Sequence, residues 1–396
     1  MAIREVKLGK VATVKGGKRL PKGINLITKP NSHPYIRVRD LNGKKTLELD
    51  GSFEFVDDET QKAISRYIVT GGDIVLSIVG TIGLVSVVGD SLNEANLTEN
   101  CVKLTSLSGI DRDYLYYYLK SSYGQQEIAR GTVGAVQAKL PIKNIQDISI
   151  PLPDEVTQRK IADILSSLDA KIEVNQRIND NLYEIVNAYY TSLFKDVECE
   201  MTTIGNYAER IYSGGTPTTS NAAYWDGTFG WFSSGETRNR FVISTEKSIT
   251  QTGIDNSSTK LASKHDIVMA SAGQGFTRGQ TSMLLIDTYV NQSVIVIHAD
   301  RNILPYLFWN LANRYEELRA ISDSSSIRGS LTTKMIAAFE IPRASNDVIQ
   351  TFSGFAWAVI PQIENNLLEN ERLAALRDSL LPKLMSGEID VSTIQL

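Results

Sequence analysis

The chain has 396 residues, 42 % apolar and 22 % charged, long enough for two domains with cores that need no staples, and neither disordered nor collagen-like. With two cysteines far apart at Cys101 and Cys199, and no stretch near the ~18 uninterrupted apolar residues of a membrane span, a disulfide scaffold and a transmembrane protein are excluded; a reducing cytoplasm is the expected compartment. The net charge of −4 hides an asymmetry: residues 1–45 carry twelve Lys and Arg against two acidic residues, whereas residues 46–110 carry three against ten.

Met1–Lys10 is charged and has no apolar h-region, so no secretion leader is expected. In the basic stretch Lys15, Lys18, Arg19, Lys22, Arg37, Arg39, Lys44 and Lys45 alternate with Gly16, Gly17, Gly23 and Gly43. Such a pattern suits loops that follow a phosphate backbone, and suits a solvated surface equally. Ile74–Val88 is apolar but broken by Ser77, Gly80, Thr81, Gly83 and Ser86, and predicts a pair of strands. An aromatic amphipathic helix is predicted near Tyr114–Arg130, its aromatics belonging to the core.

From Asp154 to Lys195 no glycine or proline occurs, and Leu165, Leu168, Ile172, Asn175, Asn179, Leu182, Val186, Tyr189 and Leu193 recur at alternating spacings of 3 and 4. That is a coiled-coil seam on a rod of roughly 60 Å, and it needs a partner.

The rest of the chain supplies one, because the sequence is written twice. Leu140–Pro151 reappears as Leu331–Pro342 at an offset of 191, and the same offset carries Ile172 onto Ile363, Asn175 onto Asn366, Leu182 onto Leu373 and Leu193 onto Leu384. Upstream, Gly72–Val75 answers His265–Val268, the strand pair recurs as Ile267–Ser271 and Ser282–Ile286, and a second aromatic helix is predicted near Leu304–Ile321. The second seam reads Phe352, Ala356, Val359, Ile363, Asn366, Asn370, Leu373, Arg377, Leu380 and Leu384. Asparagines on both seams would fix register. Pro361 and Pro382 each remove an amide donor, and a bend or interruption is expected near Pro361.

The sequence carries no recognisable catalytic equipment. His33, His265 and His298 lack metal-ligand spacing, and no P-loop occurs. Gly273–Gly279 is one residue too long for a dinucleotide fingerprint and reads as a turn. Asp154 and Asp169 with Lys171 could be imagined as a nuclease set, but Asp169 and Lys171 fall mid-helix beside Leu168 and Ile172.

Two variable segments, each followed by a repeated helix, resemble the specificity subunit of type I restriction-modification systems. The motifs are Leu140–Pro153, Gln158–Ala162 and Leu168–Asn175 centrally, Leu376–Ile389 at the end, and Gly72–Ser77 with Gly80–Gly83 in the first variable segment. The glutamine-basic-basic helix entry of the first copy is missing around Asn346–Phe355.

The resemblance implies an α+β chain: two homologous α/β target-recognition domains joined by two long antiparallel helices forming a coiled-coil spacer, with pseudo-two-fold symmetry. Its expected division is 1–152 and 200–342 for the domains, 153–199 and 343–385 for the helices, and 386–396 for a tail. Each domain would read half of a bipartite asymmetric site on double-stranded DNA, with the halves ~34 Å apart on one face. Two modification (methyltransferase) subunits and restriction/translocase subunits would join, bringing S-adenosylmethionine, ATP and magnesium; none is expected on this chain, which would be non-catalytic and hold no metal.

Candidate DNA-binding residues are Lys15, Lys18, Arg19, Lys22, Arg37, Arg39, Lys44, Lys45, Arg238, Arg240, Gln274, Arg278 and Arg328. Arginines at 37, 39, 238, 240 and 278 could reach guanine and Gln274 adenine, or each could touch phosphate or sit free on the surface. A two-domain scaffold that recruits protein partners is the alternative, and steep salt-dependent DNA binding separates the two.

Overall fold

Ile74, Val75, Leu76 and Ser77 are all buried, and a strand apolar at successive positions must be covered on both faces. The computed structural model, which describes residues 4–41, 43–134, 137–194, 200–273, 277–324 and 329–391, places Ile74–Ser77 at the centre of a five-stranded sheet. The spatial order is Thr13–Gly16, Cys101–Thr105, Ile74–Ser77, Val85–Val88, Thr46–Leu47. Ile74 pairs antiparallel with Val87 and Leu104, confirming the expected strand pair, and Thr46–Leu47 joins parallel to Val87–Val88.

Alternation then sends Ile74, Leu76, Val85, Val87, Val102 and Leu104 to one core, with Val75, Val88 and Cys101 in another. The first core is closed by Tyr114, Leu115 and Tyr117, by Ile161, Ala162 and Leu165, and by Leu381, Leu384 and Met385. Across the second lies a three-stranded sheet ordered Glu54–Phe55, Pro34–Ile36, Asn96–Leu97.

The second half repeats the arrangement. Its five-stranded sheet runs Ala208–Ser213, Val294–Ala299, Ile267–Ala270, Thr281–Leu284, Phe241–Val242, with Ile267 antiparallel to Met283 and Ile297 and the last strand again parallel. Ile267 and Met269 face one core, Val268 the other. The smaller sheet has four strands, Lys247–Ile249, Trp225–Phe232, Thr288–Val290 and Lys260–Ala262. Two-stranded ribbons, Arg4–Lys7 with Ser149–Leu152 and Met201–Thr203 with Glu340–Pro342, lead out of the two halves.

Each predicted aromatic helix is two helices. Arg112–Lys120 stops at Ser121, whose extended backbone lets its hydroxyl accept the Gly124 amide and start Ser122–Gly131. A Cβ on Gly124 would lie 2.1 Å from the Tyr118 carbonyl oxygen, so only glycine allows this turn. Leu304–Ala312 and Tyr315–Ser324 divide likewise. Tyr114, Tyr116 and Tyr117 are core residues, as expected.

The two long helices are Glu155–Phe194 and Asn346–Ser386. Asp154 opens the first by accepting the Thr157 amide, and that bond holds its carboxyl below the usual range. The second is not interrupted at its prolines: it runs as one helix through Pro361 and Pro382. Pro361 lies on the exposed side, between the buried Ile360 and Ile363, so the missing donor costs one hydrogen bond at the surface while packing holds the turn. Gly387, with φ of 76°, ends the helix, and Val391 beyond it is fully buried.

By contacts the chain divides into Met1–Ile172 with Arg372–Leu396, and Glu173–Glu371, so the compact units cut through both long helices. In the second unit the seam asparagines pair crosswise, as antiparallel helices require: Asn175 donates to Asn370 at 2.9 Å, and Asn366 to Asn179 at 2.8 Å. In the first, Arg377 donates to Asp169 at 2.6 Å. The remaining seam positions, Leu165, Leu168, Ile172, Leu182, Val359, Ile363 and Leu373, are buried or half-buried. No helix among the described residues is long and apolar enough to cross a membrane.

Candidate nucleic-acid interface

The basic stretch begins on a sheet edge. Lys15, exposed, lies on the outer strand Thr13–Gly16 opposite Lys103. Gly17 then crosses so close to the smaller sheet that a Cβ would lie 2.0 Å from the Thr98 carbonyl oxygen, and no side chain fits. The crossing fixes the residues after it. The Lys18 amide donates to Leu97, its carbonyl accepts the Tyr35 hydroxyl, and its ammonium lies 5.6 Å from the Tyr67 ring. Arg19 is exposed and paired with Glu99, which raises its pKa, while Lys22 is exposed on the adjoining loop. Lys15, Lys18 and Lys22 have no salt bridge among the described residues, so this segment offers open positive charge.

Further along, the basic residues have intramolecular partners. Arg37 is largely buried between Asp40 and Glu54, and Arg39, more exposed, meets the same two carboxylates. Lys45 is half-buried and donates to Asp113 and to the Ser166 hydroxyl, both at 2.7 Å, with Tyr117 beneath it at 5.1 Å. It ties the sheet edge to the first long helix. For Asp113, burial would raise the pKa, but donors from Arg112 and Lys45 outweigh it and hold the carboxyl below its usual range. Lys44 is exposed, and its carbonyl accepts the Ser86 hydroxyl.

In the second unit Arg238 pairs with Glu246, and Arg240 lies 4.2 Å from the Tyr183 ring and 3.7 Å from Asp180, on the first long helix. Arg278 is bound to Asp323 and the Gly329 carbonyl. Gln274 and Arg328 lie outside the described residues. Sequence reasoning missed Arg210, Lys247 and Lys260, which are exposed and have no salt bridge among the described residues. They stand singly in a segment of near-neutral charge, so no charge run marks them.

Asp169, imagined as a nuclease residue, accepts from the Tyr117 hydroxyl and from Arg377 and so serves the helix contact. Among the described residues no three His, Cys, Asp or Glu gather to hold a metal. Cys101 is fully buried, and burial pushes its thiol up to about 12.

An outer-strand lysine, a glycine crossing and a duplicated two-sheet frame, each followed by a long helix, define a modular binding chain. A family model described as the type I restriction modification DNA specificity domain matches residues 3–184 and 197–344, and the chain belongs to that family. It is similar to the type I restriction enzyme HindI specificity subunit of Haemophilus influenzae, 22 % identical over 329 residues covering 63 % of this chain and 71 % of the relative. The MjaIX specificity subunit of Methanocaldococcus jannaschii is 20 % identical over 382 residues, covering 91 % and 88 %. In fold it resembles the crystal structure of a type I restriction-modification S subunit from M. genitalium, with a TM-score of 0.58 at 17 % identity over 97 % of this chain and 96 % of that one. The scaffold alternative is not favoured by these relatives, since each is a specificity subunit.

Proposed function

We propose that each of the two domains reads one half of a bipartite, asymmetric site in duplex DNA, and that the paired long helices fix the gap between halves and dock two modification subunits. Restriction/translocase subunits join the same assembly. Methylation and cleavage, with their S-adenosylmethionine, ATP and magnesium, belong to those partner chains, and this chain supplies sequence choice without chemistry of its own.

The observation that carries the reading is the five-strand order built twice in one chain with the same parallel outer pair, each time against the same two long helices. A duplicated frame with diverged loops is what two unlike half-sites require. Lys15, Lys18, Arg19 and Lys22 supply sequence-independent phosphate contact in the first domain. The exposed Arg39, Lys44 and Arg238 extend the reach toward DNA. Arg37, Lys45, Arg240 and Arg278 would have to exchange internal partners to touch it.

Single-molecule sequencing of adenine methylation in the host genome, with this gene intact and deleted, tests the reading. Deletion is expected to remove methylation from one split, asymmetric motif and no other. Methylation that persists at every such motif would overturn it.

A further inference from the structure

The two domains can be superposed residue by residue through their ladders, and one pair of positions has exchanged its chemistry. Ile74 and Ile267 hold the same place in the two central strands, with Leu104 and Ile297 opposite them. By the same ladders Lys15, opposite Lys103, corresponds to Tyr212, opposite Val296. In the smaller sheets Ile68 bridges Asn96 and Leu261 pairs with Tyr289, so the residues just before them, Tyr67 and Lys260, correspond. The first domain thus has lysine on the outer strand and tyrosine at the second position, and the second domain has tyrosine on the outer strand and lysine at the second.

The first domain sets one cation on its tyrosine and the second sets two. In the first, Lys18 lies 5.6 Å from the Tyr67 ring. In the second, Arg210 and Lys260 lie 5.8 and 5.7 Å from the Tyr212 ring. The Tyr212 hydroxyl donates to the Leu261 carbonyl at 2.7 Å, which fixes the ring, and with Ile211 and Leu261 these residues line an open cleft. Both cations are exposed and have no salt bridge among the described residues, whereas Arg238, Arg240 and Arg278 of the same unit each hold a carboxylate.

We propose that Arg210 and Lys260, held on Tyr212, are the contact of the second domain with the phosphate backbone of duplex DNA. The segment after the glycine crossing, Gly214–Tyr224, contains no charged residue, in contrast to Lys18, Arg19 and Lys22 in the first domain. The charge that the loop lacks is therefore provided by the strand edge. Two cations converging on one ring suit one phosphate or two neighbours on a strand, and carry no information about base sequence.

The inference rests on the reading of the chain as a DNA-specificity subunit, and salt dependence separates the failure of one from the failure of the other. The probe is a random-sequence duplex, titrated with the full chain at several salt concentrations. Each lost phosphate contact lowers the slope of log K against log salt by about 0.9, so R210Q/K260Q is expected to flatten it by up to about 1.8. R210K/K260R, which keeps both charges, should restore the slope. Retained tryptophan fluorescence would show that R210Q/K260Q is folded. A steep slope in the unmodified chain that persists in R210Q/K260Q overturns this assignment and leaves the DNA reading standing. No salt-dependent binding by the unmodified chain overturns both.

Discussion

His265 has φ of 78°, and Gly72 at the corresponding place in the first half has φ of 87°. The turn before the central strand needs a left-handed residue in both copies, which costs a side-chain-bearing residue roughly 1 kcal/mol relative to glycine. In the second copy the imidazole offsets that cost by packing edge-on against Trp357, ring centres 4.7 Å apart; burial, then Lys264 and Arg301, hold its pKa below the usual histidine value. An aromatic contact of this kind contributes ~1 kcal/mol. His265→Gly, which loses the contact and the strain together, should leave stability within about 0.5 kcal/mol, whereas His265→Ala should be about 1 kcal/mol less stable than His265→Gly. Urea unfolding of the three proteins checks this, and equal midpoints for the glycine and alanine variants would show that the left-handed backbone is not what matters here. The match of Gly72 to His265 was legible in the sequence as alignment; the reason for it was not, because a histidine in that place gives no hint of its backbone angle.

Among elements, the long helices are where the sequence spoke most clearly, since a seam repeated at 3 and 4 residues has one geometric meaning. The asparagines show what it left out: the repeat aligns Asn175 with Asn366, but the antiparallel pairing joins Asn175 to Asn370 and Asn179 to Asn366. Asn366 is buried, donates to Asn179 and accepts from Gln362 at 2.9 Å, so both ends of its amide are engaged. Asn366→Ala strands the side-chain oxygen of Asn179 in a half-buried seam and should cost about 1–3 kcal/mol. All four tryptophans, at 225, 231, 309 and 357, fall within Glu173–Glu371, so their fluorescence during unfolding reads this unit directly. An unchanged midpoint would mean that water replaces the asparagine without loss. Pro361 does not interrupt the helix, for a physical reason: a local rule about one missing amide stands against a 41-residue helix whose buried face holds Phe352, Ala356, Ile360 and Ile363. Packing on that face outweighs one donor lost on the other.

For the whole molecule, duplication was legible because apolar positions of strands and helices survive divergence, whereas the candidate site was legible only in its first part. Charge runs point to loops such as Lys15–Lys22; they do not reveal that Arg37 and Lys45 are held by Asp40, Glu54 and Asp113, since those partners are distant or ambiguous in sequence. The same architecture sets the terms for exchanging specificity. The segment 200–341 does not own its core: Trp309 stacks on Tyr183 with centres 5.7 Å apart and lies 5.8 Å from Phe352, and Tyr306 meets Phe194 at 4.9 Å. Each of these contacts joins the aromatic helix Leu304–Ala312 to a long helix. Replacing 200–341 by the corresponding segment of a relative should therefore succeed where the incoming helix presents aromatics of similar size at positions 306 and 309. A mismatch there leaves cavities that cost several kcal/mol. In a chimera that folds, one half of the methylated motif should change while the other half and the gap stay fixed, because the long helices and the first domain are untouched. Methylation sequencing of cells carrying the chimera reads all three features at once. A change in both halves, or in the gap, would show that the two domains do not read independently.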